Sequence, residues 1–350
     1  MKVLGIESSC DETACAIVED GRTILSNVVA TQIPFHATYN GVVPEIASRK
    51  HVEWILPVVK QALSEANLSL DDIDGIAATS RPGLMGSLLV GLTFAKTLAW
   101  ATGKPFVAVN HMLGHLYAAH LAADIEYPYL GLLVSGGHSI ICKVSGFDDI
   151  EVLGTTIDDA VGEAFDKVAK FYDLGYPGGV AIDRLARNGN PKAARFPMPN
   201  IDKQNRAGNV SEGIAAHRYD VSYSGLKTAA INQIDQFWNP EFERTNENLA
   251  AAFQETAVKI LLSRLFRAVE DTGLTTVVAG GGVAANSRLR ELLAAEKGMT
   301  CVFPPLDLCG DNGAMIAGLG YRYLARGDRS PWTENASARV QGFKKAGRHG

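Results

Sequence analysis

Nowhere in the 350 residues do two cysteines stand at C-x-x-C spacing, and the five present (Cys10, Cys15, Cys142, Cys301, Cys309) are scattered and odd in number. This argues against a disulfide framework; reduced thiols in a cytoplasmic protein are expected. No apolar run reaches the roughly 18 residues of a bilayer span, so no membrane segment is expected. The opening MKVLGIESSCDET has a short apolar run that soon meets acids, and it does not read as a signal peptide. Positive charge is not in excess: 33 Lys+Arg stand against 38 Asp+Glu, for a net charge of −5. Binding of nucleic acid by overall charge alone is therefore disfavoured, which leaves a local basic patch or a partner that supplies one. A Walker A loop is missing too, since SGLKT lacks the G-K-[ST] order.

One further absence is local. Residues 111–115 read HMLGH. A spacing of four puts His111 and His115 on one face of a helix, as in a helical metal pair. The metalloprotease motif H-E-x-x-H has a glutamate after its first histidine to serve as general base. Here that position is Met112. A metal needs a third ligand. Asp311 is a candidate, although it reads equally well as the N-cap of a helix over 312–325. Cys309 is the softer alternative.

Hydrophobic residues make up 47% of the chain and charged residues 20%, enough to bury the cores of two domains. Lys2–Ile6, Thr13–Val18 and Thr23–Ala30 read as an opening β-meander. An apolar stripe at helical spacing covers 51–66, with Pro57 expected to kink it. Strands over 74–79 and 105–109 alternate with helices over 87–101 and from 111. The second half has a similar outline. Strands 129–135 and 139–144 form a hairpin. Helices follow over 156–174, 247–272, 286–295 and 312–325, with strands over 275–279 and 299–303. Two related α/β lobes with a cleft between them are expected: residues 1–110 with 310–350, and residues 111–309. The polar stretch 202–218 reads as a surface loop, and the basic end KKAGRHG as a tail.

Three glycine-rich turns stand out: Ser135-Gly136-Gly137-His138, Gly178-Gly179, and Gly280-Gly281-Gly282. Small residues there let backbone N–H groups approach a phosphate, so a nucleotide-type ligand competes with plain tight turns. Asp159, Glu163 and Asp166 form one acidic stripe on the helix over 156–174. Such a stripe is either a solvated face or, for Asp166 near the Gly178-Gly179 turn, a carboxylate for ribose hydroxyls. Glu7, Asp11 and Glu12 crowd one turn, either as a polar hairpin tip or as an acidic site.

In order along the chain, GIESSCDET, GVVPEIASRKH, NHMLGH, LLVSGGHS, DDAVGEAFDKVAK, YPGG, SYSGLKT, AGGGVAAN and CGDNGAMIA closely resemble the tRNA N6-adenosine threonylcarbamoyltransferases (the TsaD family, once described as O-sialoglycoprotein endopeptidases). The resemblance runs from residue 1 to about 325. It implies the two-lobed fold of actin, Hsp70 and sugar kinases (the ASKHA fold). It implies transfer of threonylcarbamoyl from threonylcarbamoyl-AMP to N6 of the adenosine just 3′ of the anticodon, in tRNAs reading codons that begin with A. By the family pattern His111, His115 and Asp311 hold one divalent metal, iron(II), with zinc as the alternative. Val134, Ser135, Gly136, Gly137, His138, Asp166, Gly179, Asp183 and Asn286 bind the adenylate. Asp11 and Glu12 lie near the reacting group. The implied partners are tRNA, a smaller paralogous subunit and a P-loop ATPase. Two departures are the length of the 202–218 segment and the lack of an R-P-R-W element near the C-terminus.

AMP is a good leaving group, so the transfer needs positioning and charge neutralisation more than a metal-bound hydroxide. Two other classes remain in view: a metalloprotease, which lacks its base, and a non-catalytic nucleotide-binding scaffold, which has no use for a metal pair. The helix over 51–66 is a candidate partner-facing helix, with core packing as the alternative.

Overall fold

The computed structural model describes residues 1–39, 41–199 and 217–339. Most of the 202–218 segment and all of KKAGRHG lie outside them. Two compact units follow from the contacts: Met1–Glu126 with the described residues from Pro304 onward, and Tyr127–Phe303. The sequence reading sets the divisions at 110/111 and 309/310; by contacts they fall at 126/127 and 303/304. Among the described residues no helix is long and apolar enough to cross a membrane.

Unit one holds β1 (Lys2–Glu7), β2 (Glu12–Glu19), β3 (Thr23–Thr31), β4 (Gly75–Arg81) and β5 (Phe106–Asn110). They pair in the order β3-β2-β1-β4-β5. The β1–β2 and β2–β3 pairs are antiparallel, and β1–β4 and β4–β5 are parallel. Alternation along β1 serves two faces. The short helix α1 (Ile33–Ala37) follows β3. Leu4 and Ile6 join the core formed with α2 (Pro44–Glu65) and α3 (Met85–Thr102), through Ile55, Val59, Leu92 and Ala95. Gly5 faces the helix that closes the unit, Gly313–Arg326. A Cβ on Gly5 would stand 2.3 Å from the Ala317 nitrogen, and one on Gly313 would stand 2.4 Å from the Ala16 nitrogen. Only hydrogen side chains allow helix and sheet backbones this close.

The helix α2 begins at Pro44, seven residues before the expected start, and runs through Pro57. Its buried face includes Ala47 and His51, which an apolar stripe does not reveal. After α3 and β5 comes α4 (His111–Tyr117), buried at all seven positions. Beyond Gly327 the chain straps back over β5. Ser330 N donates to Phe106 O at 2.9 Å, Ala108 N donates to Ser330 Oγ at 2.8 Å, and Trp332 stacks on Phe106 with ring centroids 6.4 Å apart.

Unit two repeats this plan. Its sheet contains β6 (Tyr129–Val134), β7 (Ser139–Val144), β8 (Ile150–Thr155), β9 (Thr276–Gly280) and β10 (Thr300–Val302), ordered β10-β9-β6-β7-β8. The first two pairings from β6 outward through β7 are antiparallel, and the two through β9 are parallel. The helices are α5 (Val161–Phe171), α6 (Gly178–Ala186), α7 (Ser224–Asn232), α8 (Ile234–Phe237), α9 (Asn246–Thr272) and α10 (Ser287–Ala295); the closing helix of unit one is then α11. Phe165 of α5 meets Phe253 of α9 edge to face at 5.8 Å in the core. The helix α9 starts where Thr245 Oγ1 accepts from Asn248 N and stops at Gly273, whose φ of +69° is left-handed. The strand β8 and the helices α6 to α8 are absent from the sequence reading. The helix expected over 156–174 is shorter, Val161–Phe171.

Candidate functional site

The histidine pair stands at the C-terminal end of a parallel strand, where α/β folds place their sites. The Asn110 side chain caps α4 by accepting from Met112 N at 2.9 Å. On this helix the rings of His111 and His115 lie edge to face, centroids 4.5 Å apart. Asp311 is not the cap of α11. That role belongs to Asn312, whose side chain accepts from Met315 N at 2.9 Å. Asp311 Oδ1 instead lies 3.1 Å from His115 Nε2 and 3.5 Å from His111 Nε2. The close approach of α11 to β1 at Gly5 and Gly313 carries Asp311 there.

These three side chains fit a metal. Ligand atoms at about 2.1 Å from one ion, at tetrahedral to octahedral angles, stand about 3.0 to 3.5 Å apart. The two Nε2–Oδ1 separations fall in that span, and the three ligand atoms all lie within 4.8 Å of one another. Cys309 is not part of the group: its thiol is buried beside the Pro304 and Pro305 carbonyls. The far side of His111 is also built as metal sites require. Its Nδ1 is 3.0 Å from Glu7 Oε2 and 3.2 Å from Ser9 Oγ. Glu7 is fully buried at the end of β1, and it accepts from Thr79 Oγ1 and Ser9 N, each at 2.5 Å. An imidazole that gives its Nδ1–H to a carboxylate turns its Nε2 lone pair to the ion.

The electrostatics agree. Burial disfavours a charged His111, yet Asp311 and Glu7 outweigh it and push the imidazole pKa up to about 9. Burial likewise opposes ionisation of Asp311, but His111 and His115 hold its carboxyl well below the usual range. Two carboxylates around one imidazole, Glu7 fully buried and Asp311 half-buried, call for a cation, whether proton or metal. Asp11 sits in the β1–β2 turn at 9% exposure, and Glu12 opens β2. Burial, then Asp311 and Asp11, push the Glu12 carboxyl well above its ordinary value. Glu7 stands in the sequence reading only as one of three acids that crowd the opening turn, and the structure puts it behind His111; Ser9 and Thr79 are absent from the sequence-derived site.

In unit two the turns after β6 and β9 meet, and Gly178 packs on α5. Ser135 N donates to His138 O at 2.8 Å, closing the turn after Val134. Gly281, with φ of +90°, packs on Val134: a Cβ would stand 2.3 Å from its carbonyl oxygen. Gly162 is pressed in the same way against Ser135 O, at 2.6 Å, and Gly178 against Asp166 Cα, at 2.6 Å. Gly136, Gly137, Gly179 and Gly282 differ: a Cβ there would meet nothing within 4 Å. Internal packing does not require glycine at these four positions, and no left-handed backbone demands it. What their lack of a side chain provides is open backbone.

Gly178-Gly179 is not a free turn but the first turn of α6, an N-terminus with N–H groups available to an anion. Asp166 Oδ1 accepts from Gly178 N at 2.7 Å. Asp183 is engaged inside the unit: its Oδ1 accepts from Gln254 Nε2 at 2.6 Å, Ser287 Oγ at 2.7 Å and Ser287 N at 3.0 Å. Burial opposes its charge, but Ser287, Arg187 and Gln254 hold its carboxyl below the ordinary value. Asn286 caps α10 by accepting from Leu289 N at 3.0 Å. The acidic stripe resolves into separate roles. Asp159 and Glu163 each pair with Lys167 at 2.7 Å, and Asp159 also pairs with Lys227.

Known proteins agree with this picture. Solved structures of the same fold include component A of the (R)-2-hydroxyglutaryl-CoA dehydratase of Acidaminococcus fermentans. It is 13% identical with a TM-score of 0.54, over 93% of this chain and 99% of that one. Another is HypF of T. kodakarensis, 14% identical with a TM-score of 0.60, over 93% of this chain and 48% of that one. At these identities they show the two-domain α/β fold of the actin, Hsp70 and sugar-kinase type, and no more. Sequence relatives are far nearer. The chain is 75% identical to the tRNA N6-adenosine threonylcarbamoyltransferase of Treponema denticola, over 99% of this chain and 100% of that one. It is 49% identical to that of Borreliella burgdorferi, over 98% and 96%. The family model for TsaD, tRNA N6-adenosine threonylcarbamoyltransferase, matches residues 23–318. With a two-histidine, one-aspartate group in unit one and open glycine turns in unit two, the chain belongs to the tRNA N6-adenosine threonylcarbamoyltransferase family.

Proposed function

We infer that this chain carries out the family's reaction: it transfers threonylcarbamoyl from threonylcarbamoyl-AMP to N6 of the adenosine just 3′ of the anticodon in tRNAs reading codons that begin with A. The N6 amine attacks the carbamoyl carbon, the bond from that carbon to the phosphate oxygen breaks, and AMP leaves while N6 loses a proton. The observation that supports the substrate class is the set of four glycines whose open backbone nothing in the protein fills.

In this reading Val134–His138, Gly179 and the α6 N-terminus take the adenylate's phosphate and sugar oxygens through backbone N–H groups. Asp166 orders that N-terminus through Gly178, and Asp183 and Asn286 hold α10 against it. Asp11 and Glu12 face the reacting group and hold the incoming amine. His111, His115 and Asp311 would hold one iron(II) or zinc ion. Such an ion supplies charge neutralisation for substrate oxygens and needs no neighbouring base, consistent with Met112 standing where a protease has glutamate.

The partners are a smaller paralogous subunit and a P-loop ATPase. An apolar surface suits such a subunit: Val52 and Leu56 of α2 are 63% and 48% exposed, and Met85 and Leu89 of α3 are exposed where Gly86 sits against Ser48. The net charge of −5 implies weak tRNA binding by this chain alone.

The test is transfer from threonylcarbamoyl-AMP to tRNA by purified protein with its partners. His111→Ala with His115→Ala should remove the metal, read by elemental analysis, and lower transfer more than about 100-fold. Wild-type transfer by demetallated protein would show the metal reading to be wrong.

A further inference from the structure

Beneath the β1–β2 turn lies a histidine that the site described above does not use. His51 of α2 is fully buried, at 0% exposure. Both of its ring nitrogens are engaged. Nδ1 is 2.7 Å from Thr13 Oγ1, and Nε2 is 3.0 Å from the Cys10 carbonyl oxygen. A carbonyl can only accept, so Nε2 carries the proton and donates to Cys10. In the neutral ring Nδ1 then has the lone pair and accepts the Thr13 O–H. Burial keeps the ring neutral by lowering its pKa, against the pull of the Cys10 carbonyl and Glu7.

The two anchored positions bracket Asp11 and Glu12. Cys10 precedes them in the turn, and Thr13 follows them on β2, itself fully buried. A third tie comes from Gln32, whose N–H donates to the Asp11 carbonyl at 2.9 Å. A phenylalanine would fill the space but would take away the partners of the Cys10 carbonyl and the Thr13 hydroxyl, so the ring's two nitrogens tie the chain on either side of Asp11 and Glu12. We propose that His51 is a positioning residue: through Cys10 and Thr13 it fixes the backbone that aims Asp11 and Glu12, and so sets the rate of transfer. The proposal rests on the reading that those two carboxylates face the reacting group.

The experiment uses the full chain with its partners and measures kcat, KM for tRNA and metal content for five variants. Misaiming by an ångström costs up to about 100-fold, so His51→Phe should lower kcat about 10- to 100-fold, with KM and metal content unchanged. His51→Gln keeps an N–H that reaches Cys10 and should recover most of that loss. Thr13→Val removes one hydroxyl at constant volume and should lower kcat by a smaller factor, which keeps the test available even where His51→Phe does not fold. ¹⁵N shifts of the imidazole should show the Nε2–H tautomer. Wild-type kcat in both His51→Phe and Thr13→Val, or an Nδ1–H tautomer, overturns the proposal. Asp11→Asn and Glu12→Gln separate the two layers. If both leave kcat intact, the reading of the turn fails and the proposal with it. If they lower kcat and the His51 and Thr13 variants do not, only the positioning role fails.

Discussion

At the end of β1 stands Glu7, and at the equivalent end of β6 stands Val134. The hairpin turn after the first holds the buried Asp11; the turn after the second holds Gly136 and Gly137. Past β5 the chain enters a buried helix with two histidines, whereas past β10 it leaves its unit within a residue or two. The strand order and the senses of pairing are the same in both units. One scaffold thus presents the same topological positions twice and equips them with opposite demands. The positions in unit one gather buried carboxylates that call for a cation. Those in unit two expose N–H groups and empty space that suit an anion. The fold supplies the address, and the side chains at the strand ends decide the chemistry.

The contrast can be broken at either side. In unit one, Glu7→Gln keeps the shape but removes the charge behind His111, and metal affinity should fall about 10- to 100-fold by titration against a chelator. An unchanged affinity would mean that Glu7 serves only the fold. In unit two, Gly136→Val and Gly179→Val fill open space, so AMP affinity by calorimetry should fall at least about tenfold while the melting temperature stays put. Gly162→Ala and Gly178→Ala should behave in the opposite way. Their Cβ atoms would meet backbone at 2.6 Å, so stability in urea should drop by about 1–3 kcal/mol. Equal behaviour of the two glycine pairs would erase the distinction between ligand-facing and packing glycines.

A smaller effect concerns His120, which follows α4 in unit one. Burial, helped by Arg322, lowers its pKa from 6.5 to about 4. The unfolded chain therefore binds its proton first on acidification, and this residue costs stability progressively between pH 6.5 and 4. His120→Gln should flatten the decline of urea-unfolding stability across that window relative to wild type, and an unaltered slope would remove His120 from the account.

Much of this was legible in the sequence, and the gaps have physical causes. Both hairpins, the long α9 with its Gly273 stop and the HMLGH helix follow from periodicity and caps. The first two turns of α2, residues 44–50, were missed because the only residue they bury is the small Ala47. The helix α6 was read as a turn because it starts with two glycines, and β8 is short and only half buried. Asp311 is released from the cap role by a one-residue offset, since Asn312 caps α11. For Glu7 the sequence leaves a polar hairpin tip and an acidic site both open, because only the fold shows it sealed against His111.

The strap after α11 bears on how copies of this chain treat one another in concentrated solution. β5 is an outer strand, and an outer strand with bare N–H and C=O groups invites a neighbour's strand to add to the sheet. Ser330 uses the Phe106 carbonyl and the Ala108 N–H, and Trp332 lies over Phe106 beside them. Ser330 and Trp332, which touch no proposed ligand, thus act as a stopper on sheet growth. Loss of the segment from Ser330 onward would be felt first as self-association.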